Sequence, residues 1–171
     1  GELLVTKTEK EWVNPQYWSW ENAKLYDAEF TLKNAAGDIL DTLVQPFGFA
    51  HYAQAGNEWT LNGVRVRYRA DSWVMGAYDN NTVNFFDDNY WYAKISEAQT
   101  AHVQMIRPHE TYLPERVMSI ADEKGFLINF QMAYTQKNNP YDLSPTSPLW
   151  ANWGAHIQRL TRQYRNHPSV A

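Results

Sequence analysis

The chain has 171 residues, of which 44% are hydrophobic and 20% charged, and a formal net charge of −4. That is room for one ordinary domain or two small ones, in the composition of a folded rather than a disordered protein. The negative balance gives no reason to expect nucleic acid or an anionic membrane as a partner, and the absence of cysteine excludes disulfides, zinc–thiolate sites and thiol nucleophiles.

Residues 1 to about 62 read as β structure. Phe30, Leu32, Ile39, Leu43 and Phe47 fall in short alternating runs. Asn34-Ala35-Ala36-Gly37-Asp38 supplies a hairpin connection in which Gly37 can take a positive φ. Asn62-Gly63 predicts a type I′ turn between runs at 58–61 and 64–69. The periodicity before residue 85 shows no amphipathic helix, so this half is expected to form a small β-sandwich.

The pattern then changes to helices alternating with short apolar strands. Asp87 or Asp88 is suited to cap a helix with Trp91, Ile95 and Ala98 inward, followed by a strand at 103–107. Pro114 suits the first turn of a second helix, with Val117, Met118, Ile120 and Ala121 inward and Gly125 just past its end. A strand at 126–130 follows. Ser147-Pro148 opens a third helix with Leu149, Trp153, Ile157, Leu160 and Tyr164 in one stripe. With 64–70 as a first strand and Val170-Ala171 beginning a fourth, the order is β-α-β-α-β-α, which implies a parallel sheet with right-handed crossovers. Three strands cannot close a barrel, so the chain is expected to stop within a domain.

Eight Trp and eleven Tyr are many for this length and would supply stacking faces for flat ligands, although large side chains serve cores and domain junctions more often. His51, His102, His109, His156 and His167 show no metal-ligand spacing, and there is no glycine-rich phosphate loop, so neither metal nor cofactor is expected. No apolar run is long enough to span a membrane. The composition names no compartment.

Five segments, in order, resemble glycoside hydrolase family 2, the group of β-galactosidases, β-glucuronidases and β-mannosidases. They are Tyr17-Trp18-Ser19-Trp20-Glu21-Asn22-Ala23-Lys24-Leu25-Tyr26, Phe47-Gly48-Phe49, residues 59–69 around Asn62-Gly63, Ile106-Arg107-Pro108-His109, and Arg165-Asn166-His167-Pro168-Ser169-Val170. The resemblance implies an immunoglobulin-like β-sandwich portion over residues 1–57 and the N-terminal half of a (β/α)8 TIM barrel over 58–171. It also implies a retaining mechanism with two catalytic carboxyl groups, one an acid/base in an Asn-Glu pair ending the fourth strand and the other a nucleophile on a later strand. Both fall beyond Ala171, so no catalytic residue is assigned here and the chain alone is expected to be inactive.

Barrel enzymes build their sites where the strands end. Asp71 and Trp73 after strand one, and Arg107 and His109 after strand two, are therefore the expected substrate-binding residues. Asp71 would accept from sugar hydroxyls, and Trp73 would stack on a pyranose ring. Arg107 matches the family arginine that supports the nucleophile electrostatically, and His109 would hydrogen-bond a hydroxyl. Glu110 reads as a solvated charge, and Asn166 and His167 as capping and packing groups. Asn129 and Gln131 are further candidates for the barrel mouth. Ala50, Ala70, Asp71-Ser72-Trp73 and Phe130-Gln131 depart from the family pattern, which leaves the sugar unnamed. The expected partners are a β-glycoside and the remaining segments of a parent polypeptide. The competing reading is a non-catalytic carbohydrate-binding or assembly fragment.

Overall fold

The computed structural model describes residues 11–74, 84–109, 111–131 and 144–171. Strands β1 (Tyr26–Lys33) and β2 (Ile39–Phe47) form an antiparallel ribbon, and β3 (Tyr52–Ala55), β4 (Glu58–Leu61) and β5 (Val64–Val66) form a three-stranded antiparallel sheet. Strand β6 (Ala70–Trp73), helix α1 (Asp88–Thr100), β7 (Met105–Pro108), α2 (Glu115–Lys124), β8 (Leu127–Ile128) and α3 (Pro148–Tyr164) follow. Strands β6, β7 and β8 lie side by side in a parallel sheet, and Val170 continues it by a parallel bridge to Ile128.

Turn and cap chemistry accounts for most boundaries. Gly37 has φ +92°, while Asn62 and Gly63 at +54° and +79° make the type I′ turn between β4 and β5. Asp87 caps α1 by accepting from the Asn89 N–H at 2.9 Å, and Ser147 caps α3 by accepting from the Leu149 N–H at 3.2 Å. Gly125 ends α2 in the left-handed region. It cannot carry a side chain, because a Cβ there would lie 2.9 Å from the Trp20 carbonyl oxygen.

Two expectations need correction. The run 64–70 is not the first parallel strand: the Asn62-Gly63 turn folds Val64–Val66 back onto β4, and the parallel sheet starts at Ala70. The strand expected at 126–130 shrinks to Leu127–Ile128, because only these two residues pair with β7. Among the described residues the β-rich half consists of the two-stranded ribbon and the three-stranded sheet. The β1–β2 ribbon carries Phe30, Leu32 and Leu43 on one face and leaves them 58–60% exposed, so their alternation marks an apolar face without a second sheet packed on it. The three-stranded sheet also crosses residue 57, since Ala55 pairs with Glu58.

The core lies on both faces of the parallel sheet. On one face Ile106 and Ile128 pack under α1 and α2 with Trp91, Ile95, Val117, Met118, Ile120, Ala121 and Phe126, and Tyr164 from α3 joins them. On the other, Met105 and Leu127 meet the fully buried Trp18 from the N-terminal segment. Only Tyr164 of the α3 stripe is buried, and Ile157 is exposed. Among the described residues no helix is long and apolar enough to cross a membrane.

Candidate functional site

In a strand, alternate residues face opposite sides of the sheet, and residues paired across a ladder share a side. The register pairs Asp71 with Ile106 and Ser72 with Arg107. Asp71 and Trp73 therefore take the helix-covered face, while Ser72 and Arg107 take the face shared with Met105. The four expected sugar-binding residues do not come together in one place.

On the helix side, the Trp73 indole N–H donates to Asp71 Oδ2 at 3.2 Å, and its ring stacks on Phe126 at a centroid distance of 5.9 Å. Lys94 Nζ from α1 sits 5.5 Å over the same ring. Asp71 and Trp73, with Lys94, Glu97 and Ala98, line a dent of about 200 Å³. This geometry packs the end of β6 against α1 and commits the Trp73 face to protein.

On the other face the strand ends gather polar groups. The Arg107 guanidinium donates to Ser72 Oγ at 3.0 Å, and His109 Nδ1 lies 3.1 Å from Gln131 Oε1. His109 is fixed at the backbone too, its N–H donating to the Trp73 carbonyl at 2.8 Å. Strands β6 and β7 and the segment after β8 thus contribute Ser72, Arg107, His109 and Gln131 to one rim. Arg107 is exposed and His109 and Gln131 half-buried. In the sequence Ser72 stood with Asp71 and Trp73 in a run after a strand ending at Ala70, and a loop placement hides the parity that separates it from Asp71. Glu110 lies outside the described residues. Among those described, no group of three or more His, Asp or Glu side chains is placed to hold a metal.

The opposite end of the sheet is closed by four of the five motif segments. The Trp18 indole N–H donates to the Asp122 carbonyl at 2.8 Å, and the Asn62 side-chain amide donates to the Trp18 carbonyl at 2.9 Å. Gly48 lies so near Pro168 that a Cβ would fall 2.8 Å from its ring. His167 Nδ1 meets Asp122 Oδ2 at 2.6 Å, and the Ser169 N–H donates to the other carboxylate oxygen at 3.0 Å. The Tyr52 hydroxyl donates to the Pro168 carbonyl at 2.5 Å. Burial, with smaller contributions from neighbouring Tyr68 and Asp122, pushes the Tyr52 hydroxyl well above the usual tyrosine range. His167 is therefore a packing group, while the exposed Asn166 lines a cleft of about 500 Å³ between this end and the ribbon.

The described residues thus form a parallel βα segment with polar groups at its strand ends and a closed opposite end, and comparison with known proteins shows what it is similar to. Residues 2–49 match the family model for glycosyl hydrolases family 2. A β-galactosidase of Priestia megaterium is 25% identical over 166 residues, covering 92% of this chain and 16% of that protein. A β-galactosidase of Halalkalibacterium halodurans is 20% identical over 167 residues, with the same coverages. Among solved structures, β-glucuronidase 3 of Bacteroides uniformis superposes with a TM-score of 0.69 at 22% identity, over 91% of this chain and 19% of that one. A family 2 β-galacturonidase of Eisenbergiella tayi, bound to galacturonate, gives 0.71 at 18%, over 91% and 27%. The chain is similar to family 2 glycoside hydrolases over most of its length. It spans 16% of the length of the curated relatives it matches.

Proposed function

We propose that the chain is part of a retaining β-glycosidase of β-galactosidase type. In this reading the segment supplies sugar-binding groups, and the two catalytic carboxylates come from elsewhere in the parent polypeptide. The ribbon and the residues before it form part of an immunoglobulin-like domain. The parallel βα units begin a (β/α)8 barrel, with the β3–β5 sheet leading into it. The observation that carries the reading is the clustering of Ser72, Arg107, His109 and Gln131 where the parallel strands end, the face on which barrel enzymes bind substrate. Arg107 and His109 are the sugar-facing groups of the original four, and Asp71 and Trp73 brace β6.

The test is a titration of the chain with methyl β-galactoside and methyl β-glucuronide, followed by amide and side-chain NMR. Shifts centred on Ser72, Arg107, His109 and Gln131 are expected, without turnover of a chromogenic β-glycoside. Arg107→Ala should weaken the binding about tenfold, the worth of one charge-assisted hydrogen bond of about 1.5 kcal/mol. Hydrolysis by the purified chain, or sugar shifts confined to other surfaces, overturns the assignment.

The assembly reading draws support from a separate observation, the exposure of Phe30, Leu32, Ile39 and Leu43. An apolar face of that kind suits a segment that docks against the rest of its parent polypeptide. Sugar shifts at the rim favour the first reading, and association with the remaining segments without them favours the second.

A further inference from the structure

Gln131 stands 3.1 Å from His109 Nδ1 through its carbonyl oxygen Oε1. An amide oxygen can only accept a hydrogen bond, so with the Gln131 amide in this orientation the neutral imidazole carries its proton on Nδ1. The other ring nitrogen, Nε2, is then left with a bare lone pair. From this geometry we infer that Gln131 is a positioning residue: it fixes His109 as the Nδ1–H tautomer and presents Nε2 to the rim as a hydrogen-bond acceptor. The role of that acceptor rests on the sugar-binding reading, whereas the tautomer does not.

The two sides of the rim then differ in chemistry. Arg107 carries donors only, and one of them already meets Ser72 Oγ. His109, two residues further along at the same strand end, then supplies an acceptor through Nε2. A sugar hydroxyl is donor and acceptor at once, so a pair of adjacent hydroxyls can give a proton to Nε2 and take one from the guanidinium. A ligand offering only acceptors, such as a sulfate, would satisfy Arg107 and leave Nε2 unmatched. The recognised class is thus a neutral polyol edge rather than a bare anion. The backbone bond from the His109 N–H to the Trp73 carbonyl holds the residue's main chain, and Gln131 supplies the remaining restraint on the ring.

The experiment is a long-range ¹H–¹⁵N spectrum of the histidine side chains of the whole chain at about pH 8, where a free imidazole is neutral. His109 should show a pyrrole-type shift at Nδ1 and a pyridine-type shift at Nε2. In Gln131→Leu the pattern should revert toward the Nε2–H form that an unrestrained side chain prefers, and in Gln131→Glu, which keeps an accepting oxygen, the Nδ1–H pattern should persist. A backbone spectrum of each variant shows that the fold is retained. An unchanged pattern in Gln131→Leu, or an Nε2–H pattern in the unaltered chain, overturns the inference. In the same samples methyl β-galactoside should shift His109 Nε2, and Gln131→Leu should weaken that binding about tenfold, the loss of one well-made hydrogen bond. A tautomer that responds to Gln131 in a chain that binds no sugar sinks the function reading and leaves the positioning role standing.

Discussion

Asp122 concentrates more of the fold than any residue at the rim. Its carboxylate meets His167 and the Ser169 N–H, and its carbonyl accepts from Trp18, so one residue of α2 holds both the N-terminal segment and the segment after α3. The Asp122 and His167 side chains are both over nine-tenths buried. Asp122→Ala strands a buried imidazole and an amide, and should lower the unfolding free energy by about 3–5 kcal/mol in urea titration, a loss that breaking an exposed pair would not produce. Tyr52 is expected to act through pH. Its folded-state ionisation lies above the unfolded one, so its contribution is complete below about pH 10 and fades as pH rises beyond that, where the unfolded tyrosine ionises and the folded one does not. Tyr52→Phe should cost about 1 kcal/mol near neutrality and flatten the alkaline fall in stability. An alkaline limb of unchanged steepness would rule out Tyr52 as its source. At this scale the sequence was legible for His167, whose place at a helix end suggested packing. For Asp71 and Trp73 it gave no side of the sheet, because a strand placed in the wrong run gives no parity.

Elements were readable in proportion to their terminal chemistry. All three helices begin or end on residues that name the boundary, Asp87, Gly125 and Ser147-Pro148, and Trp91, Ile95 and Ala98 are the inward set of α1. The parallel strands carry no such marks. Ala70-Asp71-Ser72-Trp73 has neither the β-branched content nor the apolar run of a buried strand, and only its ladder with β7 makes it one. The ribbon shows a different limit: alternation in Phe30, Leu32 and Leu43 declares an apolar face but says nothing of what covers it. Replacing Phe30 and Leu43 with Thr should therefore reduce binding of a hydrophobic dye by the chain while changing its unfolding free energy by less than about 1 kcal/mol. A large loss of stability would mean that the face is already packed.

For the molecule as a whole, the motifs that carry the family likeness divide into two jobs. Trp18, Gly48, Asn62 and Pro168 converge at the start of the parallel strands, and Arg107 and His109 stand at their finish. Most of the family likeness therefore records how the β-rich half is joined to the βα half, which is why it announced the fold more clearly than the ligand. Gly48→Ala would drive a methyl into Pro168, and overpacking of that kind should cost about 1–3 kcal/mol, measured by thermal melting. If the two halves melt together in the unaltered chain and separately in this variant, the junction is what couples them.

The indole of Trp18 also has a directional effect. It is wholly buried against Met105 and Leu127, the opening residues of their strands, and so acts as a stopper in the floor of the sheet. At that end Met105 and Leu127 are shut off from solvent, whereas the Arg107 guanidinium at the other end of the strands stands exposed.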